Sequence, residues 1–181
     1  MERRAGWIGR RSPRLVGYDY GQPALYFVTI CTWLREPVLG EVVDSSIRLS
    51  LAERSEEEVW QALPLRFQAI DLDAFVIMPD HVHGIIVLGT EPDVPPATAT
   101  AKAKPTLSAV LRVFTSVSGI AGNRAIDRAG QPFWQRSFYD RIIRNERELT
   151  AIRRYIEDNP SRWATVATVP PADPAWKGSP Q

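Results

Sequence analysis

Cysteine, histidine and long apolar runs are all scarce in this sequence. Cys31 is the single cysteine among 181 residues, which excludes an intrachain disulfide and favours a reducing compartment. No apolar run approaches the roughly 20 residues of a membrane-spanning helix, and the N-terminus lacks the apolar core of a secretory signal. We therefore expect a cytoplasmic protein without a membrane segment.

The net charge is also close to zero, at +1, so the overall composition gives no argument for a nucleic-acid partner. The arginines are nonetheless unevenly distributed: five lie within residues 3–14, and seven lie between Phe133 and Trp163. A planar guanidinium suits phosphate contacts and stacking on bases. A solvated charged surface would have the same composition, so this alternative stays open.

The apolar pattern predicts an α+β domain. It predicts strands over residues 24–34, 67–78, 81–88 and 133–143. Helices are predicted over residues 51–63, from Pro105 or Thr106 onward, and over 145–158, the last one stopped by Asn159-Pro160. The first six elements follow the order βαββαβ, which is typical of a ferredoxin-like split βαβ fold with an antiparallel sheet. The last helix is additional to that pattern.

Composition also divides the chain. Residues 1–17 are predicted to form a basic N-terminal arm, and residues 18–163 to form one domain. Residues 91–105 are rich in Pro, Ala and Thr, which is typical of a flexible insertion. Residues 164–181 are predicted to be a poorly ordered tail.

The only two histidines occur together, as His81-Val82-His83. Residues two apart on a strand lie on one face, so the pair predicts a metal site. The alternative is a pair of half-buried polar residues at a sheet edge. Because Cys31 is the only thiolate, a closed zinc site is disfavoured. An open site for Mg²⁺ or Mn²⁺, acting on a phosphodiester, is favoured instead.

Tyr155 and Asn159 lie on one face of the last predicted helix, because they are four residues apart. Tyrosine can act as a covalent nucleophile, and the Asn159 amide oxygen could supply a third metal ligand. The alternative for Tyr155 is ordinary packing of an amphipathic helix. Tyr139 and Tyr26 are competing tyrosines, but their alternating neighbours suit sheet packing.

The sequence resembles the HUH-type single-tyrosine transposases, most closely their REP-associated (RAYT) branch in bacteria. The resemblance covers roughly residues 18–163 and is carried by four segments: YDYGQPALYFVTICTWLRE, FVIMPDHVHGIIVL, FWQRSFYDRIIRNERELTAIRRYI and YIEDNPSRW. The family's HUH motif falls on residues 81–83, its nucleophilic tyrosine falls on Tyr155, and the polar residue that completes the metal site falls on Asn159.

This resemblance implies a metal-dependent, single-stranded DNA endonuclease and strand transferase that acts in transposition and DNA recombination. Such enzymes nick near hairpins of palindromic repeats and form a 5′-phosphotyrosine intermediate. Two alternatives remain: a catalytically silent module that binds hairpin DNA, and a metal phosphodiesterase in which water attacks. The protein is expected to be a monomer or a homodimer. The candidate DNA-contacting residues are Arg11, Arg14, Arg136, Arg141, Arg144 and Arg154.

Overall fold

The computed structural model describes residues 22–43, 46–67, 69–89 and 105–166. The predicted arm over 1–17 lies outside these residues, as do 91–104 of the predicted insertion and 167–181 of the predicted tail. The described strands are β1 (Ala24–Cys31), β2 (Gly40–Val43), β3 (Ser46–Leu49), β4 (Ile70–Met78), β5 (His81–Leu88) and β6 (Tyr139–Ile143). The helices are α1 (Leu51–Gln61), α2 (Leu63–Arg66), α3 (Leu107–Ala125) and α4 (Glu146–Val166), with a 3-10 turn at Trp33–Arg35.

Four strands form one antiparallel sheet in the order β4-β5-β1-β6, and β2 pairs with β3 in a separate hairpin. In the four-stranded sheet, β5 separates β1 from β4, and β1 separates β5 from β6. The unit that runs from β1 through α1 to β4 is therefore interleaved with the unit that runs from β5 through α3 to β6. The α+β class, the antiparallel sheet and the additional C-terminal helix agree with the sequence prediction.

Helices cover both faces of this sheet. One apolar cluster joins alternate residues of β1 and β5 to α1 and α3, with Val82, Trp60 and Phe114 among its members. A second cluster on the opposite face joins Phe27 and Ile85 to residues of α4. Successive side chains of a strand point to opposite faces, so neighbouring residues of β5 pack against different helices.

Gly84 brings α1 close to β5 directly behind the histidines. A Cβ atom at Gly84 would lie 2.5 Å from the Trp60 ring, and Trp60 itself is fully buried and stacked on Phe75. Only glycine leaves room for this indole. Trp60 therefore packs against β5 on the face opposite His81 and His83, and this packing holds the strand in place.

Three strand predictions were wrong at their ends. The strand predicted over 67–78 begins only at Ile70, because Phe67 still caps α2. The first strand stops at Cys31, because Leu34 and Arg35 adopt left-handed φ values of 54° and 58°, which extended backbone does not allow. The β2–β3 hairpin that follows was not predicted. The last strand begins at Tyr139 rather than at residue 133, since Trp134 makes only an isolated bridge to Thr32 and donates its indole N–H to Ser118.

The helix starts were predicted correctly. The Ser50 and Thr106 hydroxyls accept from the backbone N–H groups of Ala52 and Ala109, and Asn145 Oδ1 accepts from Glu148 N. These bonds satisfy donors that the first turn leaves without a partner.

The predicted helix ends were less accurate. Pro64 was expected to close a helix over 51–63, but α1 ends at Gln61 and Pro64 lies in the first turn of α2, where its missing N–H costs nothing. The prediction that Asn159-Pro160 stops the last helix was also wrong. α4 runs through Pro160 to Val166, so three residues assigned to the tail belong to a helix. Packing of α4 on the sheet overrides the local cost of proline. Within the described ranges, no helix is long and apolar enough to cross a membrane.

Candidate metal and nucleophile site

His81 and His83 lie at the start of β5, on the sheet face covered by α4. Each is 5% exposed. His83 stacks on the Phe27 ring of β1, with ring centroids 5.3 Å apart. The shared face that the sequence predicted for the two imidazoles is therefore present.

The two imidazoles converge through their Nε2 atoms, which are 3.0 Å apart. Two ligand atoms at right angles around a divalent metal, each about 2.1 Å from it, are also about 3.0 Å apart. The pair thus fits two neighbouring positions of a metal's coordination shell.

Both Nδ1 atoms have partners that leave Nε2 free for a ligand role. The His81 Nδ1–H donates to Asp80 Oδ1 at 2.6 Å, which fixes the tautomer with a lone pair on Nε2. His83 Nδ1 lies 2.8 Å from the Thr29 hydroxyl, which can donate or accept. Both rings can therefore carry their proton on Nδ1 and keep a lone pair on Nε2.

Burial keeps both imidazoles neutral. It lowers the pKa of His81 despite the opposing effect of the Asp80 carboxylate. It lowers the pKa of His83 to about 2, with His81 and Arg35 acting in the same direction. Neutral imidazole is the form that ligates metals.

Tyr155 extends from α4 toward the histidines. Its hydroxyl oxygen lies 3.4 Å from His83 Nε2, and its ring contacts both His83 and Phe27. Leu149 and Ile156 are buried against the sheet on the same side of α4. This packing holds α4 so that the phenol and the two Nε2 atoms face one common space.

Asn159 and Trp163 continue the same side of α4 at intervals of one turn. Asn159 is 7% exposed, and the ring of Trp163 lies 5.4 Å from that of His81. Tyr155 contacts one histidine and Trp163 the other, and Asn159 lies between them on the same side of the helix. In the described part of the chain, no three His, Cys, Asp or Glu side chains are grouped to hold a metal.

The competing tyrosines lie elsewhere. Tyr26 is fully buried on the opposite face, in the cluster under α1 and α3. Tyr139 lies on the histidine face but on β6, with β1 between it and the strand of the histidines. Of these three tyrosines, the structure places only Tyr155 against a histidine.

Several residues of the site escaped the sequence prediction. Asp80 holds His81 and also pairs with Arg35 at 3.2 Å. Thr29 contacts His83 only because β1 pairs with β5. Adjacency to His81 could have pointed to Asp80, whereas Thr29 and Arg35 depend on contacts between distant parts of the chain.

The predicted DNA-contacting arginines divide into three groups. Arg136, Arg144 and Arg154 are exposed. Arg141 pairs with Glu148 at 2.9 Å. The last two, Arg11 and Arg14, lie outside the described residues.

Comparison with known proteins gives one relative and one fold. No known family model matches the chain. An uncharacterized protein of Haemophilus influenzae is 31% identical over 171 residues, spanning 88% of this chain and 92% of the relative. The solved structure of a REP-associated tyrosine transposase bound to a REP hairpin superposes with a TM-score of 0.52 at 16% identity, over 90% of this chain and 74% of that one. The likeness to the transposase is one of fold.

Proposed function

We propose a function on the premise that the chain belongs to the same family as the Haemophilus influenzae protein and has the fold of a REP-associated tyrosine transposase. The protein is a metal-dependent single-stranded DNA endonuclease and strand transferase of the HUH type. Its interleaved β–α–β units are those of a ferredoxin-like core. It acts at hairpins of palindromic repeats through a 5′-phosphotyrosine intermediate on Tyr155.

One observation carries this proposal: the Tyr155 hydroxyl lies 3.4 Å from the Nε2 atom of His83, which in turn lies 3.0 Å from that of His81. A nucleophile and two metal-ligating atoms thus face one space. A tyrosine that served only to pack α4 would need no such neighbours.

The metal would be held by His81 and His83, with the Asn159 amide oxygen as a third ligand. When bound, Mg²⁺ or Mn²⁺ supplies a Lewis acid that polarises the scissile phosphate. The remaining coordination positions suit water and phosphate oxygens.

The chain's own nucleophile performs the covalent step. The Tyr155 oxygen forms a bond to phosphorus and loses its proton to water. The bond from phosphorus to the 3′ oxygen breaks, and that oxygen takes up a proton to leave a free 3′-hydroxyl. In the reverse direction a 3′-hydroxyl attacks the phosphotyrosine, and the phenol is released. No bond energy is lost to hydrolysis, so rejoining needs no second energy source such as a nucleoside triphosphate.

Hairpin DNA is proposed as the substrate. The transposase of like fold was solved with a REP hairpin, and Arg136, Arg144 and Arg154 offer exposed guanidinium groups for phosphates.

A denaturing gel tests the reaction. The full chain is incubated with a labelled hairpin oligonucleotide carrying single-stranded flanks, with Mn²⁺ or with EDTA. We expect a covalent adduct that requires metal and is lost in Tyr155→Phe and in His83→Ala. Cleavage without an adduct would point to attack by water, and tight binding without cleavage would point to a DNA-binding module. Tyr26→Phe serves as the matched control.

A further inference from the structure

Two further aromatic side chains on the histidine face of the sheet have no role in the proposed reaction. Tyr139 begins β6 at the edge of the sheet and is 46% exposed. Trp163 lies on α4 and is half-buried against His81. Neither ring belongs to the two apolar clusters of the core.

Strand register places Tyr139 in line with the site. Thr29 pairs with His83 on one side and with Tyr139 on the other, and directly paired residues project from the same face of a sheet. Adjacent strands are about 4.8 Å apart, so the backbone of Tyr139 lies about 10 Å from that of His83. Tyr139 is thus on the histidine face of the sheet, on the far side of β1 from the histidines.

Trp163 borders the site in a different direction. Its indole lies 5.4 Å from the ring of His81, two helical turns beyond Tyr155. His81 is the histidine nearer the β4–β5 turn, and its partner on β1 is Cys31. The histidines therefore have one exposed aromatic toward β6 and one half-exposed aromatic toward the end of α4.

We propose that Tyr139 and Trp163 each stack one unpaired base of the substrate, on the two sides of the scissile phosphate. The single strand would then cross the sheet from the β6 edge, over the histidines, to the last turns of α4. This inference rests on the proposed function, and it adds the path of the strand. Aromatic rings stack on any base, which suits contacts to unpaired flanks.

Binding measurements with abasic oligonucleotides test the stacking. Fluorescence anisotropy without metal compares the full chain with Tyr139→Ala and Trp163→Ala, on hairpin oligonucleotides that lack one flanking base at a time. We expect each substitution to weaken binding about 5- to 150-fold. When one particular base is absent, the substitution should no longer change the DNA affinity. The base concerned should differ between Tyr139→Ala and Trp163→Ala. Tyr139→Phe and Trp163→Phe should restore binding, and Leu65→Ala, an exposed residue on α2, should have no effect.

The positions of the two bases along the oligonucleotide test the proposal. They should lie on opposite sides of the bond that the wild-type chain cuts. The proposal is wrong if binding is unchanged, if both rings couple to the same base or to bases on one side, or if Tyr139→Ala instead alters the oligomeric state. Loss of stacking alone leaves the Tyr155 adduct intact at saturating DNA. Failure of the proposed function instead abolishes the adduct in the wild-type chain, so the two failures are distinguishable.

Discussion

At the scale of single residues, the orientation of His81 depends on a side chain that lies on the opposite side of its ring from Nε2. The Asp80 carboxylate accepts the Nδ1–H of His81 at 2.6 Å and is itself held by Arg35. Partners of this kind fix the tautomer and orientation of a ligating imidazole. Asp80 is therefore part of the site although its role is indirect.

We expect Asp80→Asn to weaken Mn²⁺ binding by about 10- to 100-fold, because the amide is a poorer acceptor for the imidazole N–H. Isothermal titration of the metal into the protein measures this directly. Asp71→Asn is the control, since the Asp71 carboxylate is exposed and accepts from the backbone N–H of Leu72. Equal affinity in Asp80→Asn and the wild-type chain would contradict the assigned role.

The strand face shared by the two histidines and the helix face shared by Tyr155 and Asn159 could be predicted from the sequence, because their spacings match the strand and helix periods. The choice of Tyr155 as the nucleophile rests on the family resemblance. The roles of Thr29, Arg35 and Trp163 could not be predicted, because their contacts with His83, Asp80 and His81 arise from strand register and helix docking. Such contacts join residues about 50 to 80 positions apart, and periodicity carries no information about them.

At the scale of elements, the contact between α1 and α3 contains an ionisable group. Glu56 is fully buried on α1, and a Cβ atom at Gly122 of α3 would lie 2.7 Å from its Oε1. Burial raises the pKa of Glu56 from 4.5 to about 8, only partly offset by the Ser118 hydroxyl. The folded protein therefore retains this proton up to a higher pH than the unfolded chain.

The free energy of unfolding should accordingly fall as the pH rises from about 4.5 to 8, since the folded state binds more protons in that range. The loss is at most on the order of 5 kcal/mol. Glu56→Gln should remove this dependence and should be more stable than the wild-type chain at pH 8. Urea unfolding at several pH values measures both effects.

Glu57→Gln is the control for that series, because Glu57 is exposed on the same helix. Identical pH profiles for Glu56→Gln and the wild-type chain would show that Glu56 is not protonated in the folded state.

Local sequence rules were sufficient to predict where three of the helices begin. The starts of α1, α3 and α4 were predicted correctly, because each is set by a local capping interaction, at Ser50, Thr106 and Asn145. The end of α4 was not, because Asn159 is buried and Trp163 contacts His81, so tertiary packing continues the helix beyond Pro160. The β2–β3 hairpin has four-residue strands, too short for a clear alternating pattern.

At the scale of the whole molecule, the net charge of +1 does not reflect how unevenly the arginines are distributed. Arg136, Arg144 and Arg154 are exposed in the C-terminal third of the chain. Phosphate contacts release counterions, and each contact steepens the salt dependence of binding.

Replacing these three arginines together by alanine should weaken hairpin binding at low salt. It should reduce the slope of log K against log salt by about 2 to 3. Anisotropy titrations at several salt concentrations give the slope. Arg66→Ala, an exposed arginine on α2, should leave it unchanged. An unaltered slope in the triple variant would place the DNA elsewhere.

In the proposed reaction the Tyr155 hydroxyl becomes covalently joined to the 5′-phosphate of cut DNA. Mass spectrometry of the digested adduct tests it most directly, comparing the wild-type chain with Tyr139→Phe and Tyr155→Phe after incubation with hairpin DNA and Mn²⁺. We predict a nucleotide-modified peptide that contains Tyr155, present in the wild-type chain and in Tyr139→Phe, and absent from Tyr155→Phe. A modified peptide that contains Tyr139 or Tyr26, or DNA cut without any modified peptide, would contradict the account.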